Sequence, residues 1–147
     1  MSSGLIQPLL QRLVGVYADP LRISRDAAQL LNRVEGNALT PLVSQSMEHP
    51  RVLSFVGTIG MTYRGVKYNI PVEIFLPPNY PTYPPICYVR PSVGMMLKEN
   101  HKHVGPDGKI YMPYLHNWKS YSCNLVDLVL TMVWNIARLQ TNKSVLE

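Results

Sequence analysis

Two stretches near the start of the chain repeat apolar residues at the spacing of an amphipathic helix. The first predicts a helix over residues 5–17, with an apolar stripe of Leu9, Leu10, Leu13, Val14 and Tyr17. Asp19 and Pro20 then offer a cap and a proline at the first helical position of a second helix. Its predicted inward-facing residues are Ala27, Leu30, Leu31 and Val34, and Gly36 and Asn37 are predicted to end it.

From Leu39 onward the apolar residues alternate with polar ones, which is typical of strands. Four strands are predicted, over residues 39–45, 52–63, 66–76 and 86–89. The two residues Arg64-Gly65 connect the second and third strands, which indicates a tight hairpin. The third strand is predicted to present Tyr68, Ile70, Val72, Ile74 and Leu76 on one face. Pro71 within this strand favours an edge position or a bulge, because proline cannot donate a ladder hydrogen bond.

The remaining pattern consists of two connections and a last helix. Residues 77–85 are rich in proline, and residues 90–108 form a long connection of the kind that is usually functional. A C-terminal helix is predicted from the spacing of Leu125, Leu128, Val129, Met132, Val133 and Ile136, with Ser122 or Asn124 as its cap. The order predicts an α+β domain: a four-stranded antiparallel meander with two N-terminal helices and a C-terminal helix.

Length, charge and cysteine content restrict the possible classes of protein. A length of 147 residues predicts a single domain over residues 1–147. The net charge of +5 permits an acidic partner, but the sequence has no run of basic residues of the kind that would indicate nucleic-acid binding. The two cysteines lack metal-ligand spacing, which favours a reducing compartment. We expect a cytoplasmic protein without membrane insertion, because neither a signal peptide nor a membrane-length apolar run is present.

Residues 101–118 look like the surroundings of an enzyme nucleophile, yet they contain no cysteine. Tyr111 lies at the centre of this stretch instead. Cys87 falls in an apolar strand and is expected to pack as a small hydrophobic residue. Cys123 precedes a helix whose N-terminus can lower a thiol pKa, but it lies away from the stretch.

Three histidines in or near the stretch, His101, His103 and His116, could be read as a metal site. No cysteine or carboxylate stands at ligand spacing beside them, so ordinary surface and loop histidines are the better interpretation. Neither a metal nor a cofactor is expected.

Several motifs together resemble those of the ubiquitin-conjugating enzymes: the Tyr-Pro-x-x-Pro-Pro run at residues 80–85, the Gly-x-Ile segment at 108–110, and Trp118. They resemble more closely the inactive variants of these enzymes, the UEV domains. The nearest subgroup is the UEV at the N-terminus of the ESCRT-I subunit known as tumour susceptibility protein or vacuolar sorting protein. This closer resemblance rests on residues 57–59, 63–65, 68–71 and 108–115, and similarity extends over residues 5–136.

The resemblance implies that the chain is not an enzyme. Tyr111 takes the position of the catalytic cysteine, and a phenol with a pKa of about 10 does not readily replace a thiolate. The His-Pro-Asn segment of the enzymes falls on residues 101–103. His101 is kept, but His103 replaces the asparagine that stabilises the oxyanion, an interaction worth about 10²–10³ in rate.

By resemblance, a first surface is a groove for Pro-Thr/Ser-Ala-Pro peptides. The matching positions are Thr58, Tyr63, Tyr68, Asn69, Ile70, Pro71 and Met95. In the family a Pro-Pro segment and an aromatic residue after the last helix complete the groove, whereas residues 138–147 here contain neither. Peptide binding is therefore expected to be weaker, altered in motif, or absent.

A second surface implied by the resemblance binds ubiquitin. The matching positions are Val43, Gln45 and Ser46 on the tongue of the first hairpin, and Phe75 and Tyr88 on the sheet. Phe75 and Tyr88 replace other aromatic residues of the relatives, and Gln45 and Ser46 replace an Asn-Asp pair. Burial of Phe75 or Tyr88 in the core is an alternative for one of the two.

The resemblance implies a non-catalytic ESCRT-I module that recognises ubiquitin on membrane cargo and proline-containing peptides in endosomal and multivesicular-body sorting. Such a module would be cytoplasmic and recruited to endosomal membranes, and other ESCRT-I subunits would bind regions outside this chain. A longer protein is expected to continue after the domain. The alternative function is a UEV cofactor that pairs with an active conjugating enzyme to build ubiquitin chains.

Overall fold

A computed structural model of the chain describes residues 2–33, 39–44, 51–63, 65–90 and 103–138. For residues 2–3, 61–63, 66–68, 134 and 136–138 it describes the backbone alone. The elements in order are α1 (Ser2–Gln11), α2 (Pro20–Arg33), β1 (Leu39–Ser44), β2 (Val52–Tyr63), β3 (Val66–Phe75), β4 (Ile86–Val89), α3 (Pro113–His116) and α4 (Leu125–Arg138). The strands form one antiparallel sheet in chain order, so the predicted α+β meander is confirmed.

Helix α1 is shorter than the apolar spacing predicted. It ends at Gln11, and residues 12–16 continue as turns in which the Leu13 amide donates to the Leu10 carbonyl at 3.0 Å. Gly15 has a φ of 84°, a left-handed conformation that ends a helix readily. The turns rotate Val14 into solvent, where its side chain is 84% exposed, so its assignment to the buried stripe was wrong.

The predicted caps of α2 and α4 are confirmed. Asp19 Oδ1 accepts a hydrogen bond from the Arg22 amide at 3.1 Å, and Asn124 Oδ1 accepts one from the Asp127 amide at 2.8 Å. Each cap satisfies a backbone donor that has no partner inside its helix. As described, α2 ends at Arg33; the predicted positions Val34, Gly36 and Asn37 lie outside the described residues.

The helices cover one face of the sheet, and alternation along the strands places the core there. Phe55 and Ile74 are register partners on this face, and both are fully buried. Helix α4 lies against β2 and α2, while α1 lies against α2 and β1. Leu125, Leu128 and Met132 of α4 are fully buried, as their spacing predicted.

Strand β3 lies between β2 and β4 and still contains a proline, which the position of Pro71 within the strand explains. It pairs with Thr58 of β2, and its carbonyl accepts a hydrogen bond from the Arg90 amide at 2.9 Å on the β4 side. Because the N and C=O of one strand residue point to the same side, the missing N–H also faces away from β2. Strand β4 pairs with the Val72–Phe75 part of β3, so Pro71 lies just beyond the end of the β3–β4 ladder.

Candidate functional site

The segment before α3 forms a small hairpin along the side of β4 that faces away from β3. Val104 and Ile110 pair across this hairpin, and Lys109 pairs with Tyr88 of β4. The Ile110 amide donates to the Cys87 carbonyl at 2.8 Å, which ties the hairpin to the sheet. Gly108 turns with a φ of 90°, a conformation that favours glycine. Residues 103–111 thus extend the sheet beyond β4.

Tyr111 and His103 are neighbours at the base of this hairpin. The Tyr111 amide donates to the His103 carbonyl at 2.7 Å, and His103 Nδ1–H donates to the Tyr111 carbonyl at 3.0 Å. The His103 ring is therefore buried and held by backbone, whereas the Tyr111 side chain is 55% exposed. His101, the third of these predicted positions, lies outside the described residues.

A cleft of about 880 Å³ opens beside Tyr111. One wall comes from residues 77–79 and 83–87, and the other from His103 and residues 109–113 and 115–117. The short helix α3, which the sequence pattern did not predict, supplies Leu115 and His116 to the second wall. The cleft was also missed, because segments distant in sequence build it.

The proline-rich wall is held in place by buried polar contacts. Trp118 Nε1 donates to the Pro81 carbonyl at 2.7 Å, and the Tyr80 hydroxyl donates to Asp26 Oδ2 at 2.5 Å. Arg22 Nε pairs with the same carboxylate oxygen at 2.6 Å. Burial is the main cause that raises the pKa of Tyr80, and its hydrogen bond to Asp26 adds to this. The wall is accordingly preformed.

Neither cysteine is placed to act as a nucleophile at the cleft. Cys87 contributes to its wall, but the residue is buried, and burial raises the pKa of its thiol, which keeps it protonated. The prediction that Cys87 packs as a small hydrophobic residue is confirmed. Cys123 does not line the cleft; its Sγ accepts a hydrogen bond from the Lys119 amide at 3.3 Å.

The residues predicted to bind peptide lie on both faces of the sheet. Thr58, Asn69 and Pro71 occupy alternate positions on the face away from the helices, and Thr58 and Asn69 are exposed. Ile70 points the other way, and its side chain is buried in the core. The backbones of Tyr63 and Tyr68 belong to the β2–β3 hairpin. Their side chains, and Met95, lie outside the described part.

The residues predicted to bind ubiquitin also fall on two faces. Phe75 and Tyr88 share the face away from the helices, with ring centroids 6.0 Å apart in a T-shaped contact. Phe75 is only 6% exposed, whereas Tyr88 is half-buried. Val43 pairs with Leu53 on the helix-covered face and packs against the core. Gln45 and Ser46 lie outside the described residues.

Two charged residues beside Tyr88 were not predicted from the sequence. Arg90 Nε donates to Glu73 Oε1 at 2.9 Å, and the Arg90 guanidinium carbon lies 4.1 Å from the centroid of the Tyr88 ring. Glu73 is the register partner of Tyr88. The Glu73–Arg90 pair could have been predicted from this register once the strands had been assigned.

The sequence of the chain matches the UEV domain family over residues 9–141. The chain belongs to the UEV domain family. It is therefore a non-catalytic variant of the ubiquitin-conjugating-enzyme fold, as its resemblance implied.

Relatives of this UEV domain occur in distant organisms. The human Tumor susceptibility gene 101 protein is 45% identical over 82 residues, covering 56% of this chain and 21% of that protein. The ESCRT-I complex subunit tsg101 of Dictyostelium discoideum is 31% identical over 109 residues, covering 74% of this chain and 22% of that protein. The matched region is thus about a fifth of the length of these relatives.

Solved structures share the fold of this UEV domain. The yeast vps23 UEV domain in complex with a vps27 PSDP peptide superposes with a TM-score of 0.76 at 23% identity, covering 92% of each chain. The complex of the Vps23 UEV with ubiquitin gives a TM-score of 0.69 at 23% identity, covering 90% of this chain and 92% of that one. At this identity the likeness establishes the fold.

The described part of this UEV domain has no group of three or more His, Cys, Asp or Glu side chains arranged to hold a metal ion. The described helices include none that is both long and apolar enough to cross a bilayer.

Proposed function

We propose that this UEV domain is a binding module of an ESCRT-I subunit that recognises ubiquitin on membrane cargo and proline-containing peptides in endosomal sorting. The support comes from its relatives: one is named as an ESCRT-I subunit, and the yeast domain of the same fold has been solved with ubiquitin and with a PSDP peptide. The module would act in the cytoplasm and be recruited to endosomal membranes. Other ESCRT-I subunits would bind regions outside this chain.

The observation that carries the peptide half of the proposal is the surface around the end of β4. Thr58 and Pro71 are paired across β2 and β3 on the face away from the helices, and the exposed Asn69 lies two residues from Pro71. Among the described residues, β3 pairs with β4 only from Val72 onward. Within the described part of the chain, an extended peptide would meet the exposed Thr58 and Asn69 and the strand backbone beside Pro71.

The two proposed surfaces lie on the same face of the sheet. Thr58 and Ser54 are four residues apart along β2, and Ser54 is the register partner of Phe75. At a rise of about 3.3 Å per residue, the peptide and ubiquitin surfaces are separated by about 13 Å along the strand. The two proposed surfaces are therefore close neighbours on this face.

The loss of activity in this chain is inferred to arise from Tyr111 at the position of the catalytic cysteine and His103 at the position of the oxyanion donor. In support, the exposed Tyr111 side chain lines the cleft, while the buried Cys87 thiol is held in its protonated form. A thioester assay with activating enzyme, ATP and ubiquitin tests this inference. A reducible ubiquitin adduct would overturn it.

Separate NMR titrations of the ¹⁵N-labelled domain with ubiquitin and with a Pro-Ser-Asp-Pro peptide test the proposal. Ubiquitin should shift amides around Phe75 and Tyr88, and the peptide should shift amides around Thr58 and Asn69. Thr58→Ala and Asn69→Ala should weaken the peptide response, as should Tyr63→Ala and Tyr68→Ala at the hairpin. Tyr121→Ala, at an exposed tyrosine outside both surfaces, should not. Peptide binding that is unchanged in all four variants rejects the peptide surface.

A further inference from the structure

The lining of the cleft beside Tyr111 contains a cationic side chain and no anionic one. It includes Lys109 and two histidines, His103 and His116, and it includes neither aspartate nor glutamate. The net charge of the chain is also positive, at +5. The cleft therefore favours a ligand that carries negative charge. Neither of the sheet surfaces proposed above uses this cleft.

Lys109 is the cation best placed to meet such a ligand. Its ammonium nitrogen lies 5.6 Å from the centroid of the Tyr111 ring. Within the described part of the chain it makes no ion pair. The nearby carboxylate of Asp107 accepts the Lys109 backbone N–H at 3.0 Å instead. Among the described residues, no carboxylate therefore pairs with the ammonium group.

The walls of the cleft suit an apolar and aromatic ligand. Tyr83 and Tyr111, which both line the cleft, are 58% and 55% exposed. A ligand that covers their rings would bury aromatic surface, which favours binding. Prolines line much of the opposite wall; they have no N–H to donate, and their rings offer a ligand apolar surface to pack on. The contacts of Trp118 and Tyr80 hold this wall in place before any ligand arrives.

We propose that this cleft binds a linear peptide segment of a partner protein, in which a glutamate or aspartate stands next to an aromatic residue. The carboxylate pairs with Lys109, and the aromatic ring packs on the proline and tyrosine walls. A peptide is favoured over a compact small molecule because the cleft is open to solvent and not enclosed. None of the lining residues belongs to the two surfaces on the sheet, but the cleft adjoins the proposed ubiquitin surface because Lys109 is the bridge partner of Tyr88.

NMR titrations with capped dipeptides test the proposal on the intact domain. Ac-Phe-Glu-NH₂ should give saturable shifts at the amides of Ile110, Tyr111 and Leu115. Ac-Phe-Gln-NH₂, which has the same shape without the charge, should bind about two- to five-fold more weakly, as expected for one partly exposed ion pair. Ac-Ala-Glu-NH₂, which lacks the ring, should bind more weakly than both.

Two lysine variants locate the charge. Lys109→Gln should bind the Glu and Gln peptides equally, whereas Lys119→Gln, at an exposed lysine that does not line the cleft, should keep the wild-type difference. The proposal is overturned if Ac-Phe-Glu-NH₂ gives no saturable shift in the cleft, or if its shifts fall on β2 and β3 instead. Equal binding of the Glu and Gln peptides by the wild-type domain also overturns it.

Discussion

The guanidinium group of Arg90 covers the ring of Tyr88, with its central carbon 4.1 Å from the ring centroid. Glu73 holds the guanidinium there through a 2.9 Å hydrogen bond from Arg90 Nε to its carboxylate. Tyr88 is one of the two aromatic residues proposed to meet ubiquitin, and the other, Phe75, is almost fully buried. A partner that packs on the Tyr88 ring must therefore move Arg90 first.

Arg90→Ala should strengthen ubiquitin binding. The substitution removes a cation–π contact, worth about 0.5–1 kcal/mol at an exposed site, that the partner otherwise has to break. Dissociation constants from calorimetry should fall by about two- to five-fold. Arg33→Ala is the matched control, since Arg33 is an exposed arginine at the end of α2, and it should leave the constant unchanged. Weaker binding by Arg90→Ala would mean that the arginine itself contacts ubiquitin.

Much of the fold was predictable because its signals are local. The alternation that defines β2 and β4 gave both strands their observed limits, and the caps at Asp19 and Asn124 depend on a few consecutive residues. The end of α1 was not predictable from spacing alone. Leu13 and Tyr17 keep helical spacing and are buried, although the backbone between them forms turns.

The binding surfaces were less predictable because they depend on register and on distant segments. Alternation already placed Ile70 with the core residues of β3, so its assignment to the peptide groove conflicted with a local signal. The Glu73–Arg90 pair requires the alignment of β3 with β4. The cleft requires residues 77–87 and 109–117 to meet, and no pattern within either segment indicates the other.

Tyr80→Phe should destabilise the domain. The Tyr80 hydroxyl donates to the fully buried Asp26 carboxylate at 2.5 Å, and hydrogen bonds to charged groups contribute about 1.5–3 kcal/mol. The free energy of unfolding in urea should fall by about that amount. Tyr83→Phe removes a hydroxyl from an exposed tyrosine of the same segment and should change the free energy little. Equal effects of the two variants would show that the Asp26 contact adds no stability.

Asn124→Ala should remove the cap of α4. Asn124 Oδ1 accepts the Asp127 amide hydrogen bond at 2.8 Å, and loss of such a cap costs about 1 kcal/mol. The urea midpoint should fall with an unchanged m-value, because the surface exposed on unfolding stays the same. Asn124→Ser, which can still cap, should recover most of the loss. A serine variant as unstable as the alanine variant would assign the loss to other contacts of Asn124.

Three tyrosines should make the domain lose stability at alkaline pH. Burial raises the pKa of Tyr17 and Tyr80, and raises that of Tyr114 to about 12. In the unfolded chain these phenols ionise near pH 10, so the unfolded state binds fewer protons above that pH. Their stabilising contribution is complete below about pH 10 and is lost as the pH rises toward the folded-state values.

Tyr17→Phe isolates the contribution of one of these groups. The Tyr17 hydroxyl donates to the Leu76 carbonyl at 2.8 Å and accepts the Leu53 amide at 2.7 Å, so the variant will be less stable at every pH. The informative quantity is the slope of the unfolding free energy against pH between about 10.5 and 12, measured in urea. The slope should become shallower by about 1.4 kcal/mol per pH unit in Tyr17→Phe. It should stay unchanged in Tyr121→Phe, whose phenol is 84% exposed. Equal slopes in Tyr17→Phe and the wild type would show that Tyr17 ionises alike in the folded and unfolded states.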